Sequence, residues 1–326
     1  MRSVARLTLP FLGLLAVFAV AGGALLWWRT GRTEAAVKPR PAEVTTGAES
    51  VATSGPQIRL AMSAAFVSES GVGVYEKIAE YLTRKTGIQA KFISGLAYGT
   101  INSMLEEGAL HCGFVCGLPY VMLHDREQPA ARLIAAPIMK APRYHGQPKY
   151  YSDLIVRKDS PYRTIYDLKG KTYVYNDELS NSGYNLPRYR LLQLGLTRNF
   201  FGKLLRSGSH EESIRMVAAG EADASFVDSL VLDFDREKGY GHAREVRVIE
   251  SVGPAGICPL VASAKVPADV VDKLQRELTT MHEDPEGRRI LDEALLERFA
   301  IVDDKNYDDI RAMRNAAEKA GFTVIR

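Results

Sequence analysis

The sequence predicts an α/β protein of two lobes, with two chain crossovers between them and an apolar helix ahead of the folded part. Three observations carry this expectation. From Gln57 onward, short apolar strand patterns alternate with amphipathic helix patterns, as in sheets covered by helices. The alternation is interrupted twice by proline and glycine, at residues 141–149 and 253–256. The pattern after the second interruption resumes that of the first third. With 326 residues, 46% hydrophobic and 25% charged, the chain has ordinary globular composition for one large domain or two medium ones.

Taken in order, Arg2 and Arg6 precede an uncharged apolar run at residues 7–28, about long enough to span a bilayer. Ala19, Val20 and Ala21 offer a cleavage-like site, but the apolar run continues past them. Trp27 and Trp28 beside Arg29 form an interfacial anchor pattern. The expectation is an uncleaved membrane anchor over residues 1–32, with the remainder outside the cytoplasm. No cysteine lies near it, which excludes a lipoprotein anchor. Residues 33–56 are rich in Ala, Thr, Glu, Ser, Pro and Gly without apolar period, and read as a flexible tether.

In the folded part, Ile58, Leu60 and Met62 alternate as in a strand, and Val74, Tyr75, Ile78, Ala79 and Leu82 form a helix face ending at Gly87. A second strand at 90–93 is followed by a loop holding Tyr98, with Thr100 as the cap of a helix running to Gly108. Residues 111–115 form a buried strand, Gly117 to Tyr120 a turn leading into a short helix, and 132–138 another strand. After the first interruption come a strand at 150–157 and a strand at 172–175. The latter feeds the turn Ser180-Asn-Ser-Gly183 and a helix stopped by Gly195. Residues 200–205 lead to Ser209 and Glu212, spaced as a capping box, so His210 opens a helix running to Gly220. A strand at 222–227 ends at Asp228, and 246–249 is a further strand. Beyond the second interruption lie a strand from Cys258, a helix at 267–281, one near Arg288 and a last one at 307–320. Lobe one is thus 57–152 with 254–326, and lobe two is 153–253.

The formal charge of +3 partly belongs to the anchor. Four arginines and no acid in residues 1–32 leave the rest at +3 − 4 = −1, which argues against nucleic acid as a partner. The three cysteines make an odd count. Cys112 and Cys116 fall in one strand-like run, about 13 Å apart and too far for a disulfide. A bridge from Cys258 to either is open, and small buried residues are the simpler reading. No CxxC or HExxH spacing occurs, so no metal site is expected.

The Ser180 turn joins a strand to a helix start, where backbone N–H groups lack partners and the helix dipole is positive. Two hydroxyls, an amide and a glycine there suit an anion, although the turn alone reads as a serine cap. Tyr98, Tyr120, His210 and Asp228 fall on turns at other strand ends, where α/β folds bind ligands. In a two-lobed protein those ends face each other across a cleft that closes by hinge motion.

At these residues the chain resembles the periplasmic phosphate/phosphite/phosphonate-binding proteins of ABC transporters, over roughly residues 57–325. The matching pieces are Gly113-Phe-Val-Cys-Gly-Leu-Pro-Tyr120, Tyr150-Tyr-Ser-Asp-Leu-Ile-Val-Arg-Lys-Asp-Ser-Pro161, Asp167-Leu-Lys-Gly-Lys171, Ser180-Asn-Ser-Gly183 with Pro187, Gly208-Ser-His210 and Gly220-Glu-Ala-Asp-Ala224. The resemblance implies the two-lobed periplasmic-binding-protein fold and an oxyanion held at a helix N-terminus. Ser180 and Ser182 would donate to it, and His210 would add a charge-assisted bond if protonated. Tyr98 and one of Tyr150 and Tyr151 would close over it, since adjacent strand residues face opposite ways, and Tyr120 is a further candidate ligand-binding residue. Asp228 would meet a ligand amine. Asn181 departs from the family's Thr, trading a hydroxyl for an NH2 donor.

The expected function is therefore capture of a phosphonate-like oxyanion outside the cytoplasm, probed for delivery to an ABC transporter permease, with residues 7–28 in the membrane. A sulfonate or other small organic ligand in the same cleft, and a membrane-tethered sensor module, stay open as alternatives. Ser180 or Ser182 with His210 and Asp228 could imitate a catalytic triad, but Gly-x-Ser-x-Gly is absent and both residue types sit at helix starts suited to anions. No catalytic residue and no cofactor is expected.

Overall fold

The computed structural model describes residues 57–63 and 71–326. The expected anchor at 7–28 and tether at 33–56 lie outside the described residues. Among the described residues no helix is long and apolar enough to cross a membrane.

In chain order the first elements are β1 (Gln57–Ser63), α1 (Val72–Thr86), β2 (Gln89–Leu96), α2 (Tyr98–Glu107), β3 (Cys112–Phe114), α3 (Gly117–His124) and β4 (Ala131–Met139). The middle part holds β5 (Lys149–Arg157), β6 (Thr172–Tyr175), α4 (Leu186–Gln193), β7 (Lys203–Arg206), α5 (His210–Ala219), β8 (Ala224–Asp228), α6 (Ser229–Glu237), α7 (Gly241–Arg244) and β9 (Val246–Gly256). The last part is β10 (Leu260–Ser263), α8 (Ala268–Thr279), α9 (Pro285–Glu293), β11 (Leu296–Ala300) and α10 (Asp308–Lys319).

These strands build two sheets, one per lobe. The first is six-stranded in the order β11-β4-β10-β3-β1-β2, and the second five-stranded in the order β7-β6-β8-β5-β9. The apolar faces read from the sequence are where the cores form: Val74, Tyr75, Ile78, Ala79 and Leu82 of α1 are all buried in the first. Both faces of the second sheet are covered, by clusters around Tyr173 and Phe226 on one side and Val174 and Val227 on the other.

The sheets are mixed, where the βα alternation predicts mostly parallel ones. The pairs β1–β2, β1–β3, β6–β7 and β6–β8 are parallel. The strands laid down as the chain arrives from a crossover are antiparallel to their neighbours, β5 to β8 and β9 and β10 to β3 and β4, and the edge strand β11 is also antiparallel to β4. Residues 253–256 do not interrupt the chain. They extend β9, which pairs with β5 from Val246 opposite Arg157 to Gly256 opposite Lys149. The two crossing strands thus lie side by side as the hinge. Other boundaries move by a few residues. The helix α2 starts at Tyr98 with Ala97 as its cap position, so Thr100 is no cap and Tyr98 is not in a loop. The strand expected from Cys258 begins at Leu260, and β7 begins at Lys203. The short strand β11 has no clean period in sequence, because a register shift between Leu296 and Arg298 breaks its alternation.

A charged clamp sits on the hinge. Arg143, in a tight turn just before β5, forks onto the fully buried Asp153 at 2.8 and 3.0 Å. Ser251 of β9 donates to the same carboxylate at 2.6 Å. Arg143 also reaches Asp233, which accepts from the Tyr144 hydroxyl at 2.6 Å. Removing one partner of such a pair leaves an uncompensated buried charge. Arg143→Ala is expected to lower the unfolding free energy by about 3 kcal/mol, read from denaturant titration. An unchanged midpoint would show that solvent compensates Asp153 and that the clamp adds nothing.

Candidate functional site

The turn after β6 is wider than an ordinary helix start. Residues Asn181–Asn185 form a π-helical turn running straight into α4, closed by the Asn185 N–H on Ser180 O at 3.0 Å. Ser180 keeps an extended backbone and caps the turn, its Oγ accepting from Gly183 N–H at 3.0 Å. Such π-turns recur at functional sites because they re-aim the first backbone donors. Ser180, Asn181, Ser182 and Asn185 are all fully buried. Gly183 is required by space. A Cβ there would stand 1.9 Å from Asn176 Oδ1 and 3.0 Å from His210 Cε1.

His210 opens α5 behind a Ser209 cap whose Oγ accepts the Glu212 N–H at 3.1 Å. Its Nδ1 accepts from the Asp228 backbone N–H at 3.2 Å, so the neutral ring carries its proton on Nε2. That Nε2 lies 3.3 Å from both Ser180 Oγ and Ser182 Oγ. Complete burial brings the imidazole down from 6.5 to about 3. The charge-assisted bond that a protonated His210 would give is thus disfavoured, and the ring donates as a neutral imidazole. The physical reason is that no acid touches the ring to offset the cost of desolvating a charge.

Asp228 ends β8 and caps α6, its Oδ1 accepting from Leu230 N–H at 2.9 Å. Its Oδ2 is 3.1 Å from Ser182 Oγ. Burial pushes this carboxyl well above the usual carboxylate range. A protonated Asp228 donates to Ser182 Oγ and leaves the serine proton free, whereas an ionised one takes that proton for itself. The order of contacts differs from a nucleophilic triad, in which the acid holds the Nδ1–H of the histidine. Here Nδ1 is an acceptor and the acid touches the serine.

Two tyrosines reach the turn, Tyr98 from lobe one and Tyr150 from the crossing strand β5 of the second sheet. The Tyr98 hydroxyl accepts from Asn176 Nδ2 at 3.1 Å, and the Tyr150 hydroxyl accepts from Asn181 Nδ2 at 3.0 Å. Asn181 also accepts on Oδ1 from Asn185 Nδ2 at 3.0 Å, and its backbone N–H donates to Cys116 Sγ at 3.3 Å. The backbone of Asn181 thus reaches lobe one through Cys116, while its side chain stays with β5 and the turn. Of the adjacent pair on β5, Tyr150 is the one that faces the turn. Tyr151 lies with its ring 5.2 Å from the Arg143 guanidinium on the hinge. Tyr120 is directed elsewhere too: its hydroxyl donates to Asp304 at 2.6 Å, and its ring packs 4.7 Å from Tyr307.

Seven of the nine candidate residues therefore meet: Tyr98, Tyr150, Ser180, Asn181, Ser182, His210 and Asp228. The sequence reading omitted Cys116, Asn176 and Ser152. Ser152 of β5 donates its hydroxyl to Ser182 O, and Asn176 Oδ1 is buried without a hydrogen-bond partner among the described residues. Cys116 carried a legible signal, since it stands at a strand end immediately before a helix start.

Comparison with known proteins shows what the chain as a whole is similar to. A family described as the periplasmic substrate-binding protein of ABC phosphonate transporters matches residues 61–307. The phosphonates-binding periplasmic protein of Escherichia coli is 25% identical over 181 residues, which span 54% of this chain and 53% of that protein. Among solved structures, a binding-protein component of an ABC phosphonate transporter from Pseudomonas aeruginosa has a TM-score of 0.74 at 20% identity, covering 82% of this chain and 88% of that one. PhnD1 from Prochlorococcus marinus, solved with methylphosphonate, has a TM-score of 0.71 at 18% identity, covering 81% and 98%. At these identities the two structures speak for the fold.

The neutral His210 sets a pH dependence. Its folded pKa lies below its unfolded one, so the unfolded chain takes up more protons between the two values. Stability is full above 6.5 and falls as pH drops from there toward about 3, by up to about 1.4 kcal/mol per pH unit. Denaturant titrations across this range should show that slope reduced in His210→Asn. Equal slopes in the two proteins would mean that His210 titrates normally.

Proposed function

The chain belongs to the family of periplasmic substrate-binding proteins of ABC phosphonate transporters, and from that premise we propose that it captures a small phosphonate-like oxyanion between its lobes and presents it to a transporter permease. The observation that carries the reading is the buried Ser180-Asn181-Ser182 turn, with the Nε2–H of a neutral His210 aimed at both serine hydroxyls. Taking an oxyanion out of water is costly unless many donors are already aimed at it. Ser180, Ser182 and His210 supply them from lobe two, Tyr98 from lobe one, and Tyr150 from the crossing strand β5. Asn181 adds an NH2 donor, which in this structure is held by the Tyr150 hydroxyl.

A proton count supports phosphonate over sulfonate. A monoanionic phosphonate has one proton to give and a sulfonate has none. Asn176 Oδ1, against Gly183, is a buried acceptor without a partner among the described residues. The contact order of Ser182, His210 and Asp228 supports a binding role rather than catalysis. Asp228 serves in this reading to free the Ser182 proton, not to pair with a ligand amine. The site works outside the cytoplasm, with residues 7–28 as its membrane tether.

Thermal unfolding of the chain with phosphate, phosphite, methylphosphonate, 2-aminoethylphosphonate, sulfate and taurine tests the proposal. Ligand at about a hundred times its Kd adds about 2.7 kcal/mol of stability. A rise with a phosphorus oxyanion alone is expected. A rise with taurine or sulfate alone would move the ligand to the sulfur class, and no rise with any would remove the reading. Calorimetric titration of Ser182→Ala should then show binding weakened by about 1–3 kcal/mol. With neutral donors throughout, the pH dependence expected is the ligand's own: affinity should fall as pH rises through the second pKa of the phosphonate, which removes the proton offered to Asn176.

A further inference from the structure

Cys116 and Cys258 have no part in the proposed capture mechanism, yet the fold sets them face to face at the cleft. The strands β3 and β10 are antiparallel, with Phe114 opposite Leu260, and Val115 N–H donates to Pro259 O at 3.0 Å. Continuing that register sets Cys116 opposite Cys258. Val115 and Pro259 occupy the hydrogen-bonding position, so the cysteines occupy the non-hydrogen-bonded one, where Cα atoms lie about 4.5 Å apart. Disulfides bridge Cα separations of about 4.4–6.8 Å, so the backbone is already in range.

The side chains are poised as well. All three cysteines are free thiols. The Asn181 N–H donates to the Cys116 sulfur at 3.3 Å, and the Cys258 thiol, the Leu118 N–H and the Tyr150 hydroxyl act on the same sulfur as donors that favour its charged form. Burial pushes the Cys116 thiol up, but these donors outweigh it and bring it below the ordinary thiol range. Burial and the neighbouring Cys116 charge push Cys258 well above that range. A thiol with a lowered pKa beside one with a raised pKa is the pairing that disulfide exchange uses. Cys112 differs: it sits opposite Ala262, and burial pushes its thiol up to about 12. Both sulfurs of the pair are buried with the lobes together. Part of the cover over Cys116, the Asn181 N–H and the Tyr150 hydroxyl, comes from the second sheet and its turn, so hinge opening exposes it.

We propose that Cys116 and Cys258 form a redox modification site in the wall of the cleft, and that linking them releases the Asn181 N–H for an incoming oxyanion. The oxidant class is a small disulfide such as oxidised glutathione. The Cys116 thiolate attacks one of its sulfurs and expels one small thiolate, giving a mixed disulfide. Cys258 then loses its proton, attacks the Cys116 sulfur and expels the second. Two protein thiols and one small disulfide become one protein disulfide and two small thiols. The effect on binding rests on the phosphonate reading; the cross-link does not.

The test is a non-reducing peptide map of the full chain, reduced and then exposed to oxidised glutathione. A cross-linked peptide pair holding Cys116 and Cys258 is expected, with the whole-chain mass lower by two hydrogens and Cys112 still open to alkylation after unfolding. Cys112→Ser should keep the link, and Cys116→Ser and Cys258→Ser should lose it. A chain that stays reduced, or links through Cys112, overturns the site. Titration of the two forms with methylphosphonate should show about tenfold tighter binding when oxidised, because the sulfur no longer competes for a donor. Equal affinities overturn the effect on binding. A cross-link with no methylphosphonate binding in either form would support the modification site and sink the phosphonate reading.

Discussion

The constraint on which this structure turns is the burial of a polar helix start. The turn at residues 180–185 brings backbone donors and polar side chains to the contact between lobes, with no exposure to water for Ser180, Asn181, Ser182 or Asn185. Each group must then find a partner in protein or ligand, because an unpaired buried donor costs the full desolvation penalty. Ser180 Oγ takes the Gly183 N–H, Asn181 takes Tyr150 and Asn185, and Ser152 takes the Ser182 carbonyl. These partners come from β5 and the turn itself, so the position of the hinge and the geometry of the site are one problem.

Electrostatics at the centre are those of dipoles rather than ions. Burial holds His210 neutral and favours the neutral form of Asp228. A neutral donor costs less to bury than a cation, and it does not lose its proton across the ordinary pH range. Recognition then depends on where N–H and O–H groups point. Geometry fixes this: the Asp228 backbone N–H on Nδ1 selects the His210 tautomer, and the tautomer aims Nε2–H at the serines.

Much of this was legible in sequence because it is local. The strand β6 spans Thr172–Tyr175 as its β-branched and aromatic residues predict, and Ser180 and Ser209 cap as their positions predict. Tyr150 and Tyr151 had to face apart by strand geometry. What local pattern does not contain is tertiary. The antiparallel course of β5 and β10 follows from where the chain returns, not from residue period. The Tyr120 hydroxyl is claimed by Asp304, distant in sequence. The charge state of His210 depends on the absence of an acid beside a buried ring, which no spacing in the chain reveals.

The hinge ties these levels together. The crossing strands β5 and β9 pair along their whole length, and the clamp of Arg143, Asp153 and Ser251 locks them on the outer side. On the inner side the same strand β5 presents Tyr150 and Ser152 to the Ser180 turn. A rotation of one lobe about this ribbon breaks few contacts at the clamp but separates Tyr98 from Asn176 and Cys116 from Asn181. The bonds that would break on opening are single hydrogen bonds, each worth about 1 kcal/mol net. A ligand making several bonds to both lobes is then enough to decide between open and closed, which is how a binding cleft converts donor geometry into motion.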